Sequence, residues 1–280
     1  TLWRNDGPGC GGWCFTDVSQ PSGTDTAVWG MGIAIADTDR DGDPDLYFSS
    51  IGEQVYLENR LAQTGELGFI DRSAAIGLDF DATGWATHFL DADNDRWLDA
   101  YLATAGFDHP DDSDRFYRYD PAAAAFVDIS ATSGVSDAER THGASQWDYD
   151  RDGRLDLVTC NANEDYRLFR NTSTNAGHWV VVELTGSGPV NRDAVGAVIT
   201  LTAGSGPDQR REVAAGQARG GNSMLAQHFG IGQATQVDVT VTWPDGTEQI
   251  ATGLDVNRYH AIGYASSEVV MRSGFEAVAQ

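Results

Sequence analysis

The chain repeats one strongly acidic stretch at a nearly fixed phase. "DTDRDGDPDLYF" from Asp37 returns as "DADNDRWLDAYL" from Asp91 and "DYDRDGRLDLVT" from Asp148, at spacings of 54 and 57 residues. A second motif keeps step: "FTDVS" at Phe15, "FIDRS" at Phe69 and "FVDIS" at Phe126 stand 54 and 57 residues apart. A period of this order marks an array of small supersecondary units, which excludes an irregular single-copy fold for this half of the chain.

Short alternating or aromatic runs fill the unit. "MGIAIA", "WATHFL" and "GASQW" lead into the acidic loops, and "LWRND", "YLENR", "FYRYD" and "LFRNT" follow at matching positions. They read as strands, about four per unit, the content of a propeller blade. The only strong helix-former run, "PAAAA" at Pro121 to Ala125, is too short to stand alone. Counted from Thr1, the chain supplies the last two strands of one unit, two whole units and three strands of another. Such an array does not close a ring of ordinary size. Either a longer parent supplies the remaining blades or copies of the chain complete one another.

Carboxylates on alternate residues repel, by roughly 4 kcal/mol per pair at about 4 Å and an effective dielectric of 20, unless a cation sits among them. The pattern Asp-x-Asp-x-Asp-Gly-x-x-Asp resembles the first nine positions of the EF-hand calcium loop, without its helices. In the first copy Asp37, Asp39, Asp41 and Asp45 are the expected side-chain ligands, with Asp43 at the main-chain ligand position and Gly42 at the turn. In the second, Asp91, Asp93, Asp95 and Asp99 match and Trp97 holds the main-chain position. Arg96 replaces the turn glycine there, which makes this the weakest of the three sites. In the third, Asp148, Asp150, Asp152 and Asp156 match, with Gly153 at the turn and Arg154 at the main-chain position. Solvated acidic hairpins are the alternative, but three copies in phase favour calcium. Magnesium fits less well because it keeps more of its water.

These residues, with a small residue five before each first Asp (Gly32, Ala86, Gly143), resemble the FG-GAP/VCBS repeat family from Thr1 to about Asn175. The resemblance implies calcium-stabilised propeller blades in a secreted protein with a bias toward adhesion. Beyond Asn175 longer alternating runs such as "HWVVVELTG" and "VDVTVTW" predict a β-sandwich. "NRDAVGAVITL", "QHFGIG" and "VTWPDGTEQ" resemble the ASPIC/UnbV domain, which implies no agreed chemistry. The expected fold is therefore all-β: a partial array of propeller-type blades over residues 1–175, a sandwich over 176–265, and a C-terminal tail over 266–280.

Composition narrows the function. The 18 basic residues, all Arg, against 42 acidic residues give a net charge of −24, which disfavours nucleic acid and anionic membranes and favours bound cations. No apolar run is long enough to span a bilayer, and no basic-then-apolar leader precedes Thr1. Cys10 and Cys14 enclose "GGW"; a disulfide there is favoured over a Cys-x-x-x-Cys zinc half-site, for which no second ligand pair exists, and would point to an oxidising compartment. Cys160 is left over.

Other single residues are read as structural. His88 and His142 fall in strands entering the loops, His228 lacks a metal-spaced partner, and the eight tryptophans are expected mostly in cores. The insert Asp108 to Asp114 is read as a solvated loop, and Asn171-Thr172-Ser173 is a lone sequon. No nucleophile elbow, zinc-protease or phosphate-loop motif occurs. The expected function is an extracellular or cell-surface calcium-binding protein with a structural or adhesive role and no catalysis. Its partner would be an extracellular protein or glycan, or other copies, joined through open repeat edges into a layer or filament. The alternatives are a calcium-dependent glycan lyase or hydrolase, whose acid and base no motif singles out though His88, His142, Asp79 and Asp81 would form its catalytic cluster, or a monomeric carbohydrate- or protein-binding module.

Overall fold

A computed structural model describes residues 1–105, 113–174, 177–216 and 219–265, and the backbone of 271–272. It is nearly all β. The chain opens with a hairpin, β1 (Trp3–Gly9) and β2 (Gly12–Asp17), whose tip is closed by a Cys10–Cys14 disulfide. Cys160 is free. After a single helical turn α1 (Ser19–Ser22) come β3 (Ile33–Ala36), β4 (Asp45–Phe48), β5 (Ile51–Glu53), β6 (Val55–Asn59), the turn α2 (Leu61–Thr64) and β7 (Phe69–Asp71). Strands β3-β4-β6-β7 form an antiparallel meander, the first full blade.

The second blade follows the turn α3 (Ser73–Ile76), with β8 (Asp81–Leu90), β9 (Asp99–Thr104), β10 (Arg115–Asp120) and β11 (Ala125–Asp128); β5 joins its edge through β8. The turn α4 (Ser130–Ser133) leads to a three-stranded unit, β12 (Thr141–Trp147), β13 (Asp156–Asn161) and β14 (Arg167–Phe169). The repeat phase anticipated from sequence is thus realised: two strands, two full blades, three strands. The inner strands β3, β8 and β12 pack side by side, with Ala34, Ala86 and Ala144 small enough to let the sheets approach.

One device repeats in each unit. Asp17, Asp71 and Asp128 accept the N–H of Ser19, Ser73 and Ser130 at 2.9, 3.0 and 2.8 Å. The serine hydroxyl oxygens accept the N–H of Leu2, Tyr56 and Phe116 at 2.7, 2.8 and 2.9 Å. This is the physical meaning of the Phe-x-Asp-x-Ser motif: the aspartate, just before the N-cap, holds the first serine of a helical turn, and that serine ties the turn to the neighbouring strand. Gly77 ends such a turn at φ 78°, and a Cβ there would stand 2.8 Å from the Phe126 carbonyl of the next unit. Glycine is required on both counts.

The remaining strands are β15 (His178–Thr185), β16 (Val198–Thr202), β17 (Gln209–Glu212), β18 (Gln227–Gly232), β19 (Gln236–Thr242), β20 (Glu248–Asp255), β21 (Arg258–Gly263) and β22 (Met271–Arg272). They form two sheets, β18-β15-β21 and β17-β16-β19-β20-β22, around one core of Val180, Val182, Ile199, Phe229, Val239 and Trp243. This is the expected sandwich. Residues 175–176 lie outside the described residues, as does the expected tail apart from β22, which runs parallel beside β20.

Two expectations are corrected. Among the tryptophans only Trp243 is buried, while Trp3, Trp13, Trp29 and Trp147 are each more than half exposed: the first two sit on the opening hairpin, Trp29 in the irregular segment before β3, and Trp147 at the end of β12. Asp114 is not solvated: it is fully buried and accepts from the Tyr101 hydroxyl at 2.6 Å and the Thr104 N–H at 2.8 Å. The preceding insert residues, 108–112, lie outside the described residues.

Candidate metal centres

Each acidic loop joins a blade's inner strand to the next strand, and two residues bend it sharply. The fourth position is left-handed in all three: Arg40 at φ 64°, Asn94 at 58° and Arg151 at 58°. So is the sixth: Gly42 at 100°, Arg96 at 88° and Gly153 at 83°. Arg96 therefore adopts the glycine conformation at a cost of about 1–2 kcal/mol.

The bends gather the carboxylates. Oxygens of Asp37, Asp39 and Asp41 lie within 4.8 Å of one another, as do those of Asp91, Asp93 and Asp95, and those of Asp148, Asp150 and Asp156. These are three clusters of hard oxygen donors able to hold metal ions. Asp37, almost fully buried, has an Oδ1 with no hydrogen-bond partner, and Asp93 Oδ1 is buried and unpartnered as well. A divalent cation fits such a donor set.

The remaining expected ligands are placed differently. Asp45, Asp99 and Asp156, at the ninth position, accept the N–H of the second loop residue (Thr38, Ala92, Tyr149) at 3.1, 3.1 and 3.2 Å. Their second oxygens accept from the third strand or just beyond it, at Asn59, Tyr119 and Asn171, at 2.9, 3.0 and 2.7 Å. They staple loop to blade, and only Asp156 also joins a cluster. Asp152 accepts the Arg154 N–H at 3.0 Å and pairs with the guanidinium groups of Arg154 and Arg170. Asp43 turns its carboxylate to the Ala62 N–H at 2.6 Å. The seventh-position N–H groups of Asp43, Trp97 and Arg154 each donate to the fifth-position aspartate, at 3.0, 2.8 and 3.0 Å.

Crowded, partly dehydrated carboxylates resist ionisation without a cation. Burial, with the charges of Asp95 and Asp93 adding to it, raises Asp91 to about 8. Loss of solvent and the charges of Asp45 and Asp41 raise Asp39 to about 7, and burial raises Asp45 to about 6. Asp99 is pushed well above the carboxylate range by burial. Two arginines reach both of the first two clusters: Arg40, drawn to Asp37 and Asp91, and Arg211, which lines a cavity of about 200 Å³ between β3, β8 and the β17–β18 connection. Burial lowers Arg211 to about 10, against the attraction of Asp91 and Asp37.

The sandwich sits directly on these loops, a relationship sequence reasoning missed. His228 Nε2 lies 3.0 Å from the Gly153 carbonyl, and the Tyr259 hydroxyl donates to Asp148 Oδ2 at 2.7 Å. The only sequence signals were His228 and the glycines of "QHFGIG". The histidines are otherwise as read: His88 is buried with Nε2 at 2.9 Å from the Ala144 carbonyl, and the His142 ring packs tilted against Trp85 with centroids 4.3 Å apart. His88 stands seven residues along β8 from exposed Asp81, roughly 23 Å at about 3.3 Å per residue, so that pair shares no site. Asn171 is tied down through Nδ2 to the carbonyls of Ala92 and Leu155 at 2.7 and 3.2 Å.

Blades with acidic loops followed by a sandwich define a class of architecture, and comparison with known proteins places the sandwich half in a family model. Residues 187–269 match the family model described as ASPIC and UnbV, which bears out the resemblance of the three C-terminal motifs. The chain is similar to cartilage acidic protein 1 from Xenopus tropicalis, at 26% identity over 279 residues, covering 94% of this chain and 41% of that protein. The mouse protein of the same name (Mus musculus) is 26% identical over 258 residues, covering 88% and 38%, and the human one 25% over 283 residues, covering 95% and 40%. The chain thus spans about two fifths of the length of these relatives. Among the described residues no helix is long and apolar enough to cross a membrane.

Proposed function

We propose that this protein is an extracellular calcium-binding structural or adhesive module, with three calcium ions bound in the blade loops and no catalytic role. The observation that carries the reading is the threefold gathering of carboxylates within 4.8 Å at equivalent bends, together with the buried, unpartnered oxygen of Asp37. Charge supports it, since a chain at −24 gains from cations. The disulfide at the hairpin tip suits an oxidising compartment, and similarity to a cartilage acidic protein suits an extracellular one. At a dissociation constant of about 10⁻⁵ M, millimolar calcium would add roughly 2.7 kcal/mol per site. Calorimetric titration tests the reading: three calcium ions per chain are expected, and a chain that binds none overturns it.

Interaction with other copies is the finer part of the proposal. In the described sheets β14 has no partner beyond it, and unpaired strand edges invite pairing with another chain. Light scattering in millimolar calcium should show assemblies, and a uniform monomer at all accessible concentrations would count against this part alone.

A further inference from the structure

We propose that the C-terminal sandwich is a clamp on the second and third acidic loops, so that calcium binding in those loops and docking of the sandwich reinforce each other. The inference rests on the calcium reading above and assigns a regulation to the same sites.

Several of the contacts fall on the loops themselves, beside others in which the β17–β18 connection meets a blade strand, such as the Met224 N–H on the Gln146 carbonyl of β12 at 3.3 Å. The N–H of Gly177 donates to the Asp93 carbonyl and that of Gly232 to the Asn94 carbonyl, both at 2.9 Å. Gly230 lies so close that a Cβ would stand 2.0 Å from Asp91 Oδ2 and 2.4 Å from the Asn94 Cα. Asn94 Nδ2 reaches across to the Gly153 carbonyl at 3.1 Å, the same oxygen that faces His228, which links the second loop to the third. On the third, Tyr259 holds one carboxylate oxygen of Asp148, and the Trp179 ring covers Gly153. The first loop differs: among the described residues no sandwich backbone N–H is bonded to it, and it meets the sandwich through the Arg40 guanidinium on the Pro207 carbonyl and through Arg211 of β17 near Asp37.

The second loop also needs outside support most, because it carries Arg96 where the other two have glycine, at φ 88°. Groups that orient metal ligands from outside typically change affinity by about 10- to 100-fold. Linkage makes the effect mutual: whatever the docked sandwich adds to calcium affinity, calcium adds to docking. Tyr259 is in this sense a positioning residue for Asp148.

Hydrogen exchange on the full chain, read beside calorimetric calcium titration, decides the matter. With calcium chelated, the Gly177 and Gly232 amides are expected to exchange at least about tenfold faster, while Val239 and Val241 inside the sandwich keep their protection. Tyr259→Phe is expected to weaken one calcium site about tenfold and leave the others unchanged. If calcium binds but neither the exchange nor the Tyr259→Phe titration responds, the clamp is wrong and the calcium reading stands. If chelation unfolds the whole chain, the Tyr259→Phe titration alone decides, and an unchanged affinity overturns the clamp. If no calcium binds at all, both fail.

Discussion

Asp156 Oδ1 accepts the main-chain N–H of Asn171 at 2.7 Å, the third instance of a bond that also joins Asp45 to Asn59 and Asp99 to Tyr119. The ninth aspartate of each loop therefore belongs to the fold, and only Asp156 also joins a carboxylate cluster. Replacing Asp99 by Asn puts an amide N–H₂ against one of two backbone donors, Ala92 or Tyr119. That mismatch is expected to cost about 1–3 kcal/mol, read from urea unfolding in saturating calcium. A loss confined to calcium affinity, with metal-free stability unchanged, would argue against the staple.

The turn glycines should respond unequally. A Cβ on Gly153 would fall 1.8 Å from the Trp179 ring, whereas one on Gly42 meets nothing within 4 Å; both are left-handed. Gly153→Ala is expected to cost about 3 kcal/mol or more from overpacking plus strain, and Gly42→Ala about 1 kcal/mol from strain alone. Arg96→Gly, relieving φ 88°, is expected to stabilise by about 1 kcal/mol. Chemical denaturation of the three variants checks the order.

Much of this was legible beforehand, because repeats expose their own phase. The Phe-x-Asp-x-Ser copies located the last strand of each unit, and the spacing of the acidic loops fixed which strands were inner. The alternation after His178 read correctly as sandwich strands. What stayed hidden depends on contacts between distant residues. Gly230 against Asp91, or Tyr259 on Asp148, leaves no periodic trace. Aromatic content likewise does not report the exposure of Trp13 and Trp29. Spacing also could not tell a carboxylate that faces the cluster, such as Asp148, from one turned to an arginine, such as Asp152.

Acidity should act in opposite directions with and without metal. Asp45, Asp39 and Asp91 are raised to about 6, 7 and 8 in the folded chain, above their unfolded value of about 3.9. Between roughly pH 4 and 8 the metal-free folded chain therefore binds more protons than the unfolded one, and its stability falls as pH rises. Self-repulsion at high net charge works the same way. Calcium needs the ionised carboxylates, so its affinity rises over that window and its binding releases protons. Melting in chelator should be higher at pH 5 than at pH 8. Titrations near pH 6.5 in buffers of different ionisation enthalpy should reveal proton release. A chelated protein that melts higher at pH 8 runs against this assignment.

The central claim is that three calcium ions occupy the three loops, and diffraction from crystals grown in millimolar calcium, recorded where calcium scatters anomalously, tests it most directly. Three anomalous peaks are expected, each about 2.3–2.6 Å from carboxylate oxygens: one at Asp37, Asp39 and Asp41, one at Asp91, Asp93 and Asp95, and one at Asp148, Asp150 and Asp156. Well-ordered loops with no anomalous signal at any of the three would contradict it.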